Sequence, residues 1–484
     1  MRRRRRSLIP LGLVLVLLTV GPATSQTPAP GHGAEAHGME LVGHDDLQGR
    51  SAYQPTIHQQ RGRFIAYVGH HGGRARNPLT GADEDNGTSI VDVTDPARPR
   101  YLAHIPGMPG GPEQGGAQMA RVCDRRDKTY LLRTHGNSAP NSGHEVWDVT
   151  DPAKPQKVST VVSGLTSTHK NWWECDTGIA YLISGDLAKA DPLQLGPSGW
   201  RTGRMTKIYD LSDPAKPVFI RDFGLASQEP GSTGPVAVAQ GAHGPIVLGN
   251  RVYVAYGTSN DGVLQIVDRQ KLLTGPKEPT AANLNSPEIS RLHMSPNWGG
   301  HTAFPVLGVT IADWAANTKD RVRDVVVLVS EATANECRES RHATFVVDIT
   351  TETRPFSVAT FQVPESAGGF CRRGGRFGPH SSNESFAPIF YKKLVFIAYF
   401  NAGVRAVDVR NPYAPREAAF YIPATTARTA ERCVTNGTRS CKVAIQTNNV
   451  ETDERGFVYL ADRANTGLHI VRLTGEAARI IGGP

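Results

Sequence analysis

The sequence lacks the long apolar runs and the basic clusters that mark membrane proteins and nucleic-acid-binding proteins. Its apolar run at residues 8–20 is shorter than the roughly 20 residues that cross a bilayer, and no other segment approaches that length. Without residues 1–25, which hold five arginines and no acid, 48 basic residues remain against 45 acidic ones, with no lysine run. We therefore expect no transmembrane segment in the mature chain and no nucleic-acid partner, since nucleic-acid binding needs a clustered basic face.

Short catalytic signatures are also missing from the sequence. It contains no G-x-S-x-G elbow, no H-E-x-x-H motif and no P-loop. None of the six cysteines belongs to a C-x-x-C pair, so neither a zinc knuckle nor a redox dithiol is expected. A catalytic site has to be sought among residues that the fold brings together.

The N-terminus has the order of an export signal. A basic segment comes first, the apolar run at residues 8–20 follows, and small residues precede a cleavage point after residue 25. We expect a cleaved signal peptide at residues 1–25, a flexible linker at residues 26–37 and a periplasmic or secreted mature protein.

Export would place the six cysteines in an oxidising compartment, where three disulfides are possible among 15 connectivities. We expect the pairs Cys337–Cys371 and Cys433–Cys441, because both fall in long loops. The pair Cys123–Cys175 then remains, and its two members occupy matching places in neighbouring repeats.

A repeated segment indicates the fold. Its clearest copies are VDVTDPARP at residues 91–99, WDVTDPAKP at 147–155 and YDLSDPAKP at 209–217. In each copy an apolar, β-branched strand ends in an Asp-Pro turn, and another apolar strand lies upstream. Weaker copies contain Asp268, Asp348 and Asp408, and an eroded seventh copy begins at Val471.

One more strand on each side gives four strands per repeat. Seven such units predict an all-β fold, a seven-bladed β-propeller of four-stranded blades over residues 38–484. Residues 39–44 and residues 478–481 both have the pattern of a strand that could close the last blade, and the sequence does not choose between them.

Four segments carry a resemblance to a known family, each after an FIAY-like strand. They are SIVDVTDPARP from Ser89, LQIVD from Leu264, RAVDVRNPYAP from Arg405 and LHIV from Leu468. In these segments the chain resembles bacterial secreted proteins with LVIVD repeats, which are β-propellers. The resemblance covers nearly all of the mature chain and implies the fold. It implies little about activity, so function has to be argued from the site.

The starts of the innermost strands predict a ring of polar side chains around the central channel. Four histidines aimed at one axis predict a transition-metal site for Zn, Cu, Fe or Ni, with these histidines as ligands. The alternative is a polar channel in which ordered water bridges histidines and amides. The predicted ring consists of Gln54, Gln118, His169, His243, His301, His380 and Asn448.

Residues at the ends of the second strands are expected on the same face as this ring and supply candidates for acid–base chemistry. We expect the general acid or base to be Glu331, His70 or His135, depending on which of them reaches the substrate. Three tryptophans next to ring histidines either wall a pocket for an apolar or aromatic substrate or pack between blades: Trp172, Trp173 and Trp298.

Hypotheses of different classes follow from these features. The first is an exported metal-dependent oxidoreductase or lyase acting on a small or aromatic substrate, by analogy with other propellers that hold a histidine-ringed metal. The alternative is a non-enzymatic envelope or extracellular module that binds protein or polysaccharide through its long loops. A metal-carrying or metal-storage protein, the third hypothesis, would hold the metal without turnover.

Overall fold

The computed structural model describes residues 32–186, 196–236, 241–258, 260–295, 297–314, 316 and 320–482. The expected signal peptide at residues 1–25 lies outside these residues. The described chain begins with two short strands, β1 (Glu35–His37) and β2 (Met39–Asp45). The segment 26–37, expected as a linker, therefore ends in a strand.

Short antiparallel strands dominate the chain after β2, as the alternation of apolar runs and turns predicts. The next six strands are β3 (Ala52–Gln60), β4 (Arg63–His70), β5 (Arg74–Arg76), β6 (Asp83–Asp85), β7 (Thr88–Asp92) and β8 (Arg100–Ile105). Strands β3, β4, β7 and β8 form a four-stranded sheet in that order. The hairpin of β5 and β6 is inserted between its second and third strands.

Four further four-stranded sheets each use four strands that are consecutive in sequence. The second sheet contains β9 (Ala120–Arg125), β10 (Lys128–His135), β11 (Ser142–Asp148) and β12 (Gln156–Leu165). The third contains β13 (Ser167–Trp173), β14 (Ile179–Gly185), β15 (Met205–Asp210) and β16 (Val218–Phe223). The fourth contains β17 (Ala242–Leu248), β18 (Arg251–Tyr256), β19 (Val263–Asp268) and β20 (Glu288–His293). The fifth contains β21 (Thr302–Thr310), β22 (Val322–Val329), β23 (Thr344–Asp348) and β24 (Phe356–Phe361).

The remaining strands form a larger sheet and a separate hairpin. The hairpin is β29 (Glu431–Asn436) with β30 (Thr438–Val443), and two short helices, α1 (Arg269–Thr274) and α2 (Ala281–Asn285), lie between β19 and β20. The larger sheet contains β25 (Phe377–Ser382), β26 (Leu394–Phe400), β27 (Val404–Asp408), β28 (Arg416–Ile422), β31 (Thr447–Thr452), β32 (Phe457–Asp462) and β33 (Gly467–Leu473) together with β1 and β2.

This larger sheet consists of two four-stranded groups that are joined at one residue pair, Phe400 with Thr447. The first group is β25 to β28, and β1 pairs with its outer edge. The second group is β31 to β33 with β2 as its fourth strand. The N-terminal segment thus completes this group, and the competing C-terminal segment lies in a helix, α3 (Gly475–Ile480).

The repeated aspartate ends the third strand of each four-stranded unit except the last. Its carboxylate accepts a hydrogen bond from a backbone N–H two residues later, as between Asp92 and Thr94 (3.0 Å) or Asp210 and Ser212 (2.7 Å). In the fourth sheet the same carboxylate of Asp268 caps α1 through the N–H of Lys271. The side chain therefore terminates the strand by satisfying a turn donor, which is why the motif recurs.

The apolar residues of the second and third strands pack between neighbouring sheets. One such core contains Ile65 and Tyr67 of β4 with Ala120 and Leu131 of the next sheet. The first strands contact each other in a closed cycle, β3, β9, β13, β17, β21, β25, β31 and back to β3. The architecture is all-β with four-stranded antiparallel sheets, as expected for a propeller, and the first strands surround a central channel.

The three predicted disulfides are confirmed. Cys123–Cys175 joins β9 to the turn after β13, Cys337–Cys371 joins two loops, and Cys433–Cys441 crosses the β29–β30 hairpin. These bonds agree with an extracellular or periplasmic location. Among the described residues, no helix has the length and apolar character that crossing a membrane requires.

Candidate metal centre

The four predicted histidines converge in the central channel. His169, His243 and His380 lie on the first strands β13, β17 and β25, and His301 directly precedes β21. All four are at most 8% exposed. The structure thus brings together residues that lie up to 211 positions apart in the sequence, from His169 to His380.

A local irregularity aims three of these side chains at the channel. The pairing of β13 with β14 shifts register between Thr168 and Asn171, and β17 with β18 shifts between Ala242 and Gly244. The pairing of β25 with β26 shifts in the same way around His380. A β-bulge bends the strand and re-aims side chains, and each of these three irregular stretches contains one of the histidines.

The histidine rings are in direct contact along the channel wall. The Nε2 atoms of His169 and His243 are 2.7 Å apart. The ring centroids are 3.3 Å apart for His243 and His301, and 4.3 Å apart for His301 and His380. Two overlapping groups could hold a metal ion, each with its ligand atoms within 4.8 Å of one another: His169, His243 and His301, and His301, Glu331 and His380.

Glu331 faces two of the histidines from the loop after β22. Its carboxylate oxygens lie 3.6 Å from the Nε2 atoms of His301 and His380, and Arg376 donates to it at 3.1 Å. Burial raises the pKa of this carboxyl group, against the opposing effect of Arg376 and Arg463. Glu331 is therefore a buried acid that can exchange a proton within reach of the histidine group.

The Nδ1 atoms of three histidines are anchored, which turns their Nε2 atoms inward. His169 Nδ1 pairs with Gln118 Oε1 (2.9 Å), His301 Nδ1 with Thr302 Oγ1 (3.1 Å), and His380 Nδ1 with the carbonyl oxygen of Asn448 (2.5 Å). Metal-binding histidines are oriented by such outer hydrogen bonds. Nε2 of His301 and Nδ1 of His243 are buried with no hydrogen-bond partner in the described part of the chain.

The four imidazoles are held in the neutral form. Burial, together with nearby charges that include Lys170 in every case, holds the pKa of each histidine well below its usual range. Only a neutral imidazole can ligate a metal ion. Buried nitrogens without partners, together with neutral rings, fit a transition metal of the kind that imidazole binds.

Residues 82–103 match the family model of the LVIVD repeat. The chain therefore contains an LVIVD repeat. The matched segment contains the first VDVTDP copy, at the end of β7. No curated protein matches the chain.

Among solved structures, this LVIVD-repeat protein is similar to the computationally designed Ika8 protein. The two are 8% identical, and the match covers 90% of this chain and 99% of that chain with a TM-score of 0.43. A TM-score of that size supports no conclusion about fold or function, so the site of the LVIVD-repeat protein has to be interpreted from its own geometry.

The LVIVD-repeat protein has a cavity of about 380 Å³ above the histidines, opening between the loops. Tyr53, His169, His243 and His380 line it, and Glu331 stands at its side. Three arginines that the sequence did not mark also reach it, from three different four-stranded groups: Arg204, Arg376 and Arg463. They lie in loops with no repeating pattern, so no local signal marked them.

Tyr53 takes the place that was predicted for Gln54. A bulge sets both residues opposite Gly69 of β4, and the tyrosine turns to the histidines, with its hydroxyl 3.0 Å from His169 Nε2. Gln54 instead contacts Lys170 (3.1 Å) and Glu451 (3.1 Å) in a second polar layer. The residue count from β4 was therefore one position off, because a bulge adds a residue that counting cannot detect.

The second layer of the channel consists of buried charges. Lys170 and Arg121 both pair with Glu384, and Lys170 and Glu384 are each almost fully buried. Burial alone would raise the pKa of Glu384, but the two cations lower it. Burial and the charge of Glu384 raise the pKa of Glu451 to about 7. This layer holds the channel together beneath the histidines.

Two of the three predicted acid–base candidates do not line the cavity. His70 Nε2 pairs with Ser89 Oγ at 2.8 Å, and His135 Nδ1 lies 3.9 Å from Glu145. His71, the residue after His70, does line the cavity and forms a hydrogen bond with Gln118 at 2.9 Å. The His70-His71 pair was visible in the sequence, but which of the two turns inward depends on how β4 ends. Of the candidates, only Glu331 faces the ring.

The three tryptophans are likewise outside the cavity lining. Trp172 packs against Phe386 and beneath the guanidinium of Arg121. Trp173 is buried, and the indole of Trp298 packs on Phe345. These positions agree with the packing alternative for the tryptophans.

Proposed function

We propose that this LVIVD-repeat protein is an exported metal-dependent oxidoreductase or lyase that acts on a small molecule. In this proposal residues 1–25 are a cleaved signal peptide, residues 26–37 link it to the fold, and residues 38–484 form a seven-bladed β-propeller. The cycle of contacts among the first strands supports the blade number, because each first strand opens one four-stranded unit.

One observation carries the proposal: four buried imidazoles from four neighbouring sheets form two overlapping groups, one of which includes the buried carboxylate of Glu331, and three of the imidazoles line a cavity. Each histidine alone would be an ordinary hydrogen-bonded residue. Together they present inward nitrogens, two buried nitrogens without partners and a fixed outer hydrogen-bond set. A water-bridged polar channel does not require Nδ1 atoms anchored in three of the four histidines or ligand atoms gathered within 4.8 Å of one another.

His169, His243, His301 and His380 would hold the ion, which by ligand type is Zn, Cu, Fe or Ni. The 2.7 Å separation of the His169 and His243 Nε2 atoms is close to the roughly 3.3 Å expected between two nitrogens on one tetrahedral ion with bonds of about 2.0–2.1 Å. Small side-chain shifts therefore suffice. A bound ion would supply Lewis-acid activation of a substrate or of water.

The protein's own groups would orient the substrate and move protons. Glu331 is placed to accept or donate a proton at its carboxylate oxygens, since burial raises its pKa and Arg376 fixes one oxygen. Tyr53 closes the channel beside His169 and can donate its hydroxyl proton in a hydrogen bond. The walls of the cavity limit the substrate to a small molecule.

The test is elemental analysis of the untagged protein, purified from the exported fraction without added metal, together with turnover screens for oxidation and elimination. We expect about one equivalent of a transition metal, lost in His243→Ala and retained in His144→Ala. The second variant is the matched control because His144 is also a buried histidine but bonds Ile183, away from the channel.

A protein that is purified without metal and does not bind added Zn, Cu, Fe or Ni would contradict the proposal. The hypothesis of a non-enzymatic interaction module would then remain. Stoichiometric metal that supports no turnover in any screen would contradict the enzymatic part and favour the metal-carrier hypothesis. Equal metal loss in His243→Ala and His144→Ala would show that the substitutions act by disturbing the fold and not by removing a metal ligand.

A further inference from the structure

The mouth of the cavity carries an excess of positive charge. Arg204 comes from the loop before β15, Arg376 precedes β25, and Arg463 follows β32. Against these three cations the cavity holds two carboxylates, Glu113 and Glu331, while its histidines are neutral. Three four-stranded groups thus deliver guanidinium groups to one small space, and the excess of positive charge favours a negatively charged occupant.

Glu113 already shows how such an occupant would bind. Its carboxylate forms an ion pair with Arg463 and lies 3.9 Å from Arg376. Its side chain is 61% exposed, whereas that of Arg463 is only 7% exposed. The acid therefore reaches the buried guanidinium from the solvent side, and an outside carboxylate can compete for the same position.

Arg204 lies in the same cavity without an acidic partner. Its Nε donates to Ser167 Oγ (3.0 Å) and its Nη2 to Asn137 Oδ1 (3.4 Å). In the described part of the chain it forms no salt bridge, although the charge of Glu331 partly offsets the lowering of its pKa by burial. Two neutral side chains therefore hold the guanidinium in place without a direct ion pair, as in a preformed anion site.

We infer that the cavity binds a small organic carboxylate, with Arg204 as its fixed contact and with Arg376 and Arg463 released to it when Glu113 moves aside. The planar fork of arginine matches the two oxygens of a carboxylate. The rest of the substrate would then lie toward the histidines and Glu331. This inference names the substrate class of the proposed metal centre and rests on it for function, although the binding itself does not require the metal.

The test is calorimetric titration of malonate into the full-length protein after treatment with a chelator, so that malonate cannot bind through a metal. We expect Arg204→Gln to weaken binding by about 10- to 100-fold, the effect of losing a charge-assisted hydrogen bond. Glu113→Gln should tighten binding by up to about fivefold, because it removes a partly exposed competing ion pair. Arg428→Gln, which alters an exposed arginine that lies outside this cavity and pairs with Asp46, is the control and should change nothing.

Arg204→Lys is a second variant in case the glutamine variant misfolds. It keeps the positive charge but loses the planar fork, so we expect its malonate affinity to lie between those of the wild type and Arg204→Gln. Malonate binding that is absent, or equal in the wild type and both Arg204 variants, would overturn the inference. Inorganic phosphate that binds at least about tenfold more tightly than malonate would overturn the assignment to carboxylates.

Metal content measured before chelation separates this inference from the proposed function. Metal without malonate binding would overturn the carboxylate site alone. Malonate binding with the expected variant pattern, in a protein that never holds metal, would support the carboxylate site and contradict the metalloenzyme.

Discussion

Glu331 lies between His301 and His380, with a carboxylate oxygen 3.6 Å from the Nε2 atom of each. The loop after β22 delivers this acid to two histidines of different sheets, and Arg376 holds it from the other side at 3.1 Å. The position lets one carboxylate orient two imidazoles and exchange a proton above them.

Glu331→Gln should impair the site without unfolding the protein. The amide keeps the size of the side chain and its oxygen can still accept from Arg376, but it cannot carry a charge or exchange a proton. We expect metal affinity to fall by about 10- to 100-fold, as for other outer carboxylates, and turnover to be lost even at saturating metal. Competition with a chelating dye measures the first effect and steady-state assays the second. Unchanged turnover at full metal loading would exclude Glu331 as the acid–base group.

Lys170→Met should destabilise the fold strongly. Lys170 pairs with Glu384 where both side chains are at most 4% exposed, so the variant leaves Glu384 with Arg121 as its remaining cation. We expect the free energy of unfolding to drop by about 3–5 kcal/mol in urea denaturation.

Two further variants test that explanation. The double variant Lys170→Met with Glu384→Gln should recover only part of the loss, because the buried carboxylate is then neutral but Arg121 loses its partner. Lys207→Met breaks a pair with Asp222 whose side chains are 15% and 16% exposed, and it should cost less than Lys170→Met because the remaining carboxylate is nearer to solvent. A similar loss in the two single variants would refute the role of burial.

The stability of the metal-free protein should fall as the pH falls below about 6.5. Burial lowers the pKa of His144 to about 4, with the carbonyl of Ile183 opposing it weakly. Between about pH 6.5 and pH 4 His144 is therefore protonated in the unfolded state and neutral in the folded state. This histidine alone reduces the free energy of unfolding by up to about 1.4 kcal/mol per pH unit in that range, and the effect levels off below it.

His144→Gln isolates this contribution. The glutamine does not titrate, so the slope of unfolding free energy against pH should decrease by about 1.4 kcal/mol per unit between pH 6 and pH 4.5. Urea denaturation at several pH values in the presence of a chelator measures the slope. An identical slope in the variant and the wild type would show that His144 is protonated equally in the folded and unfolded states.

Local patterns were sufficient to predict the repeated units and the convergence of the histidines. The Asp-Pro turns define each third strand because they act through bonds to neighbouring residues, as in Asp92 with Thr94. Counting from these strands also located His169 and His243 at the starts of first strands. The three disulfides followed from the same repeats and loops.

The closing strand and several residues of the candidate site depended on contacts between segments that are distant in the sequence. The pairing of β2 with β33 chose the closing strand, a bulge put Tyr53 where Gln54 was expected, and the end of β4 turned His71 rather than His70 inward. Arg204, Arg376 and Arg463 meet only because three four-stranded groups place their loops around one cavity. Sequence periodicity reports which residues are buried within a strand, whereas the composition of a channel depends on packing between strands that are far apart in the chain.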